Sequence, residues 1–141
     1  MKRLIPFLKA NTTVTPNYAT APDGTLTADR LQFADNTGTF LSNTAATAGT
    51  EYTFSVYLKA SSSSISAGTN QVLLKVGGVS QTVTATSEWQ RVSATITASN
   101  TNPAEFDNVG AVDVLIWGAQ LEEGSTATDY IPTTNTISFR S

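Results

Sequence analysis

Carboxylates are the first residues to consider for chemistry, because the chain has no histidine and no cysteine. Glycoside hydrolysis needs two carboxyl groups that face each other across a sugar. Glu122 and Glu123 are adjacent, so on a strand they point to opposite faces. Glu105 and Asp107 share a face, but Pro103 beside them predicts a loop. A serine nucleophile would lack its usual histidine base. We therefore predict that the chain is not an enzyme.

Tyr57 is the residue whose surroundings best suit sugar binding. Aromatic rings line ligand sites, and a few polar or charged groups fix the ligand's orientation. Alternation places Tyr57 and Lys59 on the outward face of one strand, and Gln71 is expected near the neighbouring strand. Tyr18 and Tyr130 can add further rings. The competing interpretation is that Tyr57 packs under a loop or against a neighbouring subunit, as interface tyrosines often do. The candidate glycan contacts are therefore Tyr57, Lys59 and Gln71.

Metal and cofactor chemistry is not predicted. Oxygen ligands for calcium are available near the chain ends from Asp23, Asp29, Glu122 and Asp129. They do not form the tight acidic loop that a dedicated calcium site shows. Asp23 is explained equally well by a Pro-Asp-Gly turn. We expect no bound cofactor and no metal.

The two tryptophans are interpreted as structural residues. Trp89 begins a strand after a turn, so it is expected to cover one end of the fold. Trp117 lies in the most apolar segment and is expected to fill the core. Gly118 directly after it predicts a bulge or a close backbone contact.

Nucleic acid and membranes are not expected partners. The chain has 8 Lys and Arg against 11 Asp and Glu, for a formal charge of −3. Binding to a phosphate backbone requires a basic surface, which this composition does not provide. No segment approaches the length of a membrane span. The apolar run at residues 4–8 is too short for a signal peptide and is interrupted by Pro6.

Segments with a period of two indicate strands between recurrent turn signals. The clearest is at residues 51–60, where one face is formed by Tyr52, Phe54, Val56 and Leu58. Residues 72–83 predict a hairpin around two central glycines. Residues 111–121 are apolar on both faces near their middle, which is typical of a central strand. Further strands are expected at residues 25–33, 39–42, 88–98 and 137–140.

The sequence therefore predicts an all-β fold, an antiparallel two-sheet jelly-roll β-sandwich of eight or nine strands with short N- and C-terminal arms. A length of 141 residues fits one domain. We expect an N-terminal arm at residues 1–10 and the sandwich at residues 11–134. Residues 135–141 are expected to form a C-terminal arm or an edge strand.

Four segments resemble, in order and spacing, a jelly-roll module of phage structural proteins. They are residues 20–31 (TAPDGTLTADRL), 52–60 (YTFSVYLKA), 88–92 (EWQRV) and 117–133 (WGAQLEEGSTATDYIPT). That module family is similar in fold to carbohydrate-binding modules, and its members resemble parts of tail fibres, receptor-binding proteins and head decoration proteins. The resemblance implies a jelly roll and a place on a virion, whereas a fold alone does not give a function.

The resemblance and the length together favour a capsid decoration or cement protein of a tailed phage. A tail fibre needs a domain that attaches it to the tail, and 141 residues leave no room for one. We expect a homotrimer on the capsid surface of the virion, in contact with the major capsid protein and with copies of itself. The alternative is a carbohydrate-binding adhesin, or a tail-fibre or receptor-binding component, that recognises a surface glycan.

Two apolar terminal segments are the expected contacts with capsid neighbours. Their residues are Leu4, Ile5, Phe7, Leu8, Ile137 and Phe139. Burial of apolar surface contributes about 25 cal/mol per Å². Such contacts would stabilise a particle without any chemistry.

Overall fold

The computed structural model describes residues 8–10, 12–34, 39–42, 45–61, 70–129 and 138–140. Those residues form strands, turns and loops, with no helix among them. The strands are β1 (Leu8–Ala10), β2 (Thr12–Ala19), β3 (Ala28–Phe33), β4 (Thr39–Leu41), β5 (Glu51–Ala60), β6 (Gln71–Val76), β7 (Val79–Thr84), β8 (Gln90–Thr97), β9 (Glu105–Asp107), β10 (Val112–Glu123) and β11 (Ser138–Arg140). In that part of the chain we find no helix able to span a bilayer.

The strands form two sheets that pack face to face. One sheet has five strands in the order β1-β4-β9-β6-β7, and the other has the order β2-β3-β10-β5-β8, with β11 pairing beside β10. Every pairing is antiparallel except that of β10 with β11. The predicted all-β jelly-roll sandwich is therefore confirmed, although the described residues form eleven strands and not the eight or nine expected.

Phe106 on β9 lies at the centre of the core between the sheets. Its ring centroid is 6.1 Å from that of Phe40 and 5.2 Å from that of Phe54. Phe40 belongs to the same sheet as Phe106, whereas Phe54 comes from β5 in the facing sheet. All three side chains are fully buried. Aromatic contact across the interface thus helps to fix how the two sheets pack.

Strand β5 shows the alternation that its sequence predicts. Phe54, Val56 and Leu58 are buried in the core. Tyr52 shares that face, and its phenol oxygen accepts a hydrogen bond of 2.8 Å from the Thr47 amide. A buried hydroxyl without a partner would be costly, so this bond allows a tyrosine to occupy a core position.

The predicted β6–β7 hairpin is confirmed and depends on glycine. Gly77 and Gly78 both have positive φ, at 57° and 80°. A Cβ on Gly77 would lie 2.2 Å from the Cβ of Ala98, so a larger residue would clash as well as strain the backbone. The hairpin closes with Val76 opposite Val79.

Strand β10 is the central strand of its sheet, as predicted, and it carries the predicted bulge. Its register with β5 shifts between Trp117 and Gln120, and Gly118 has a φ of 65°. The expectation that Trp117 fills the core is wrong. Ile116 points into the core, so Trp117 points to the opposite face, where it packs with Ala21 and Ala28.

Two regions predicted as loop or left unassigned are strands. Strand β2 contains Pro16 and Asn17, which has a φ of 52°, and its register with β3 shifts between Thr15 and Ala19. An edge strand tolerates proline at such an irregularity. Strand β9 lies where Pro103 predicts a loop, so that prediction is wrong. It is paired on both sides, by β4 and β6, which compensates for its short length.

The terminal residues predicted to bind capsid neighbours are only partly described. Leu4, Ile5, Phe7 and Ile137 lie outside the described residues. The backbone of Leu8 pairs with that of Leu41, and the backbone of Phe139 pairs with that of Leu121. These two positions therefore belong to sheets of the chain itself.

Candidate functional site

The candidate site lies on the face of the six-stranded sheet that points away from the core, hereafter the outer face. Strand pairing places Tyr57 between Trp117 on β10 and Arg91 on β8. Two residues along β5 from Tyr57, Lys59 lies beside Leu115 on β10. Leu115 in turn lies beside Arg30 on β3. Aromatic, apolar and cationic side chains are thus brought together on a single surface.

An aromatic cluster forms the apolar part of the outer face. The rings of Tyr57 and Trp117 meet edge to face with their centroids 5.4 Å apart. The Trp117 indole N–H donates a 3.0 Å hydrogen bond to Thr27 Oγ1. Trp89 packs on the same cluster, and its N–H donates to the Thr20 carbonyl at 3.2 Å. The indole N–H of each tryptophan therefore has a hydrogen-bond acceptor, and these two bonds hold the rings in the cluster.

A groove of about 390 Å³ opens beside this cluster. We call it the outer groove. It is lined by Tyr18, Ala19, Lys59, Ala60, Ser61, Ser87 and Leu115. Its size lies within the usual range for small-molecule sites, about 300–1,000 Å³. The lining combines apolar surface with two hydroxyls, a phenol and an ammonium group.

Tyr18 forms one wall of the groove and is held by Arg30. The side chain of Tyr18 is 46% exposed. The Arg30 guanidinium carbon lies 4.9 Å from the ring centroid, and Nη1 donates a 3.2 Å hydrogen bond to the phenol oxygen. A cation over an aromatic face attracts the ring quadrupole. This contact fixes the ring at the edge of the groove.

Asp113 holds Arg30 in turn. Its carboxylate accepts a 2.9 Å hydrogen bond from Arg30 Nε and a second bond from Nη2, so the contact is bidentate. This pairing raises the pKa of Arg30, mainly because the charged form donates these hydrogen bonds. Gln32 Nε2 also donates to Asp113, at 3.4 Å. The wall of the groove is therefore supported by a chain of three outer-face side chains.

The irregular backbone of β2 brings Tyr18 to this position. Asn17 has positive φ, and its amide donates a 3.1 Å hydrogen bond to Oδ1 of the fully buried Asp29. This bond stabilises a conformation that is uncommon for a residue other than glycine. The register resumes at Ala19, which pairs with Ala28. The bulge thus determines where the aromatic wall stands.

The opposite end of the outer face is covered by the chain itself. Glu122 is buried and accepts hydrogen bonds from the amide and the hydroxyl of Thr128. Thr53 Oγ1 donates to the Gly124 carbonyl at 2.8 Å. Residues 124–128 therefore lie over this end of the sheet, whereas Tyr18 and Lys59 lie at the other end.

The three residues predicted to contact a glycan do not all lie at the groove. Lys59 lines the outer groove, and Tyr57 belongs to the aromatic cluster next to it. Gln71 was expected beside them and is not there. It lies on β6 in the five-stranded sheet, on the side away from the core, so it faces the opposite surface of the sandwich. The groove residues that sequence reasoning missed, such as Leu115 and Ser87, carry no chemical signature of their own.

No protein-family model matches the chain, and no curated protein matches it either. Solved structures do match. A CBM4 carbohydrate-binding module superposes with a TM-score of 0.55 at 18% identity, covering 84% of this chain and 94% of that one. The CBM22-1 xylan-binding domain of Paenibacillus barcinonensis Xyn10C gives a TM-score of 0.56 at 10% identity, covering 90% and 91%. The chain has the fold of jelly-roll carbohydrate-binding modules.

The fold of this chain also matches one part of a longer enzyme. The CBM22-1 and GH10 modules of Clostridium thermocellum xylanase 10B, in complex with xylohexaose, match with a TM-score of 0.53 at 17% identity. That match covers 94% of this chain and 28% of the longer one. The predicted similarity to carbohydrate-binding modules is confirmed by these structures. The attribution to a phage particle stays a prediction.

Within this carbohydrate-binding-module fold, the acidic residues considered for catalysis are separated from the outer groove. Glu105 and Asp107 lie on the outer side of the other sheet, where Lys75 Nζ is 3.8 Å from Glu105 Oε1 and 3.6 Å from Asp107 Oδ2. Burial is the main cause that raises the pKa of Glu105, and Lys75 opposes it. Glu122 is buried under residues 124–128, whereas Glu123 is exposed.

Three of the four carboxylates considered as calcium ligands accept hydrogen bonds within the fold. Asp23 accepts hydrogen bonds from the amide and hydroxyl of Thr25, at 3.0 and 2.6 Å. These bonds lower the pKa of Asp23, the side-chain bond most of all. Asp29 holds the β2 bulge, and Asp129 is exposed. Among the described residues we find no group of three or more His, Cys, Asp or Glu placed to hold a metal ion.

Proposed function

We propose that this chain is a carbohydrate-binding module and that the outer groove is its ligand site. The observation that carries the proposal is the groove itself. It places an exposed aromatic ring, apolar side chains and hydrogen-bonding side chains on one surface of a fold that carbohydrate-binding modules share. The xylan-binding domain of similar fold supports a polysaccharide as the ligand.

The chemistry of a sugar matches the lining of the groove. A pyranose has apolar C–H faces and a rim of hydroxyl groups. The exposed ring of Tyr18 and the side chain of Leu115 suit the faces, whereas Ser61, Ser87 and Lys59 suit the hydroxyls. Tyr18 is held by Arg30 before any ligand arrives. A wall that is already ordered loses little conformational freedom on binding, which favours affinity.

The proposed activity is binding without turnover. The seven described residues that line the groove include no carboxylate. Such a lining supplies neither the acid nor the nucleophile of glycoside hydrolysis, which requires a pair of carboxyl groups. The acidic pair on the other sheet is engaged with Lys75.

A panel of soluble polysaccharides and oligosaccharides, screened by affinity electrophoresis and calorimetry, tests the proposal. Tyr18→Ala should weaken binding about tenfold, because an aromatic anchor is lost. Tyr18→Phe keeps the ring and should retain most of the affinity. Val79→Ala, on β7 of the other sheet, is the matched control and should bind as the wild type does.

Two results would contradict the proposal. One is a wild-type protein that binds no carbohydrate in the panel at millimolar concentration. The other is binding that Tyr18→Ala leaves unchanged, which would place the ligand on a different surface. Thermal unfolding of each variant shows whether a loss of binding comes from a loss of folded protein.

A further inference from the structure

We propose that the outer groove selects glycans that carry an acidic group, and that Lys59 provides the selecting charge. The acidic group is the carboxylate of a uronic acid or a sulfate ester, which share a single negative charge on a sugar. This inference rests on the proposed function and adds the class of ligand to it.

Lys59 is the charged side chain among the residues that line the groove. It is half-buried, and none of the ion pairs in the described part of the chain includes it. Two other cationic side chains in that part of the chain do have carboxylate partners. Arg30 is paired with Asp113, and Lys75 with two carboxylates.

Arg91 adds a second positive charge to the same surface. It pairs in register with Tyr57, and its guanidinium carbon lies 5.9 Å from the Tyr57 ring centroid. Its Nη2 donates to Ser55 Oγ at 3.3 Å, so its polar contact is with a hydroxyl and not with an acid. Arg91 on β8 is the diagonal neighbour of Lys59 on the adjacent strand β5, and such a pair has its Cα atoms about 7–8 Å apart. Lys59 in the groove and Arg91 over the Tyr57 ring thus place two positive charges on the outer face of a protein whose formal net charge is −3.

This arrangement favours an anionic ligand over a neutral one. A half-buried ammonium group has lost part of its hydration, and the apolar surface of Leu115 and Ala19 lies beside it in the groove. A carboxylate or sulfate restores a charged partner, and such hydrogen bonds are stronger than those between neutral groups. A neutral sugar offers hydroxyl groups alone. Selectivity follows from this difference in affinity.

Glu88 is the acidic residue that follows the lining residue Ser87 in sequence, and it is exposed. Its negative charge opposes an acidic ligand. Glu88→Gln removes this charge and should therefore strengthen the binding of an acidic glycan, by about twofold. Lys59→Gln and Glu88→Gln thus change the local charge in opposite directions, which makes them a matched pair.

Calorimetric titration with tetragalacturonate and with its methyl ester tests the inference, because the ester has the same sugar chain without the charge. Wild-type protein should bind the acid about tenfold more tightly than the ester. Lys59→Gln should abolish the difference, and Lys59→Arg should preserve it. Added salt should weaken binding of the acid more than that of the ester. A sulfated oligosaccharide in a parallel titration shows which acidic group is preferred.

The outcomes separate this inference from the proposed function. Equal affinity for acid and ester, or a difference that survives Lys59→Gln, overturns the acidic selectivity and leaves carbohydrate binding in place. Binding to none of the charged or neutral sugars overturns both. Preference for the sulfated sugar, lost in Lys59→Gln, supports the inference and identifies sulfate as the group recognised.

Discussion

Arg30 illustrates how single side chains organise the surface of this molecule. Its guanidinium contacts the ring of Tyr18 on one side and the carboxylate of Asp113 on the other. Because Arg30 is held by the Asp113 carboxylate, it can fix the Tyr18 ring in a position that stays partly exposed. None of this follows from the sequence, because Arg30 and Asp113 are far apart in the chain. The pair forms only after β3 and β10 align.

Glu105 is the residue whose ionisation is expected to affect stability. Its pKa is raised, chiefly by burial, so the charged carboxylate is less favourable in the folded state than in the unfolded one. A group of this kind contributes its stability below its unfolded pKa, about 4.3. That contribution is lost as the pH rises through the higher folded value.

Glu105→Gln should therefore be more stable than the wild type at pH 7, and the difference should shrink towards zero below about pH 4. Urea unfolding followed between pH 3 and pH 8 measures both quantities. Glu51→Gln, at an exposed position on β5, is the control for the replacement of a glutamate by glutamine. If Glu105→Gln is instead less stable at pH 7, attraction to Lys75 outweighs the cost of burial.

Whole strands were predictable where one face alone carries apolar residues. The alternation of apolar and polar residues in β5 predicts where the strand lies and which of its faces is buried, because side chains on a strand alternate between the two faces. It did not give the neighbours of β5. Residues that follow β5 in sequence form β6, which lies in the other sheet, and this is why Gln71 was placed wrongly. Strand pairing depends on the packing of the whole fold, which sequence order does not reveal.

Strand β10 was harder to interpret because it is apolar on both faces. Its central position followed from that composition, but the face on which Trp117 lies did not. Ile116 and Trp117 are both buried, one in the core and the other on the outer face. Strand β9 has three residues, which are too few for an alternating pattern to identify a strand. Its residues become a strand through pairing with β4 and β6.

Residues 124–128 are an element whose attachment can be tested. Glu122 accepts hydrogen bonds from the amide and hydroxyl of Thr128, and it is buried there. Glu122→Ala should lower the free energy of unfolding by about 1–3 kcal/mol. It should also speed hydrogen exchange at the Thr128 amide, because this segment loses its acceptor on β10.

Glu123→Ala provides the control for this prediction, because Glu123 is the next residue and is exposed. It should change the unfolding free energy by no more than about 0.5 kcal/mol. Equal effects of the two substitutions, together with unchanged exchange at Thr128, would show that Glu122 does not hold residues 124–128 in place.

The molecule as a whole has the two-sheet fold of carbohydrate-binding modules and carries a groove on the outer face of one sheet. Its similarity to carbohydrate-binding modules is established at the level of the fold, and that fold supports many functions. The location on a phage head, the homotrimer and the contact with a major capsid protein stay predictions. A reconstruction of a particle that contains this chain would test all three.

Chemical-shift mapping by NMR tests most directly whether the outer groove binds carbohydrate. Labelled protein would be titrated with the neutral and uronate oligosaccharides described above. Our account predicts saturable shifts at the amides of Ala19, Ser61, Ser87 and Leu115, which surround the groove. Shifts centred instead on Lys75 and the other sheet, or no shifts at millimolar sugar, would contradict it.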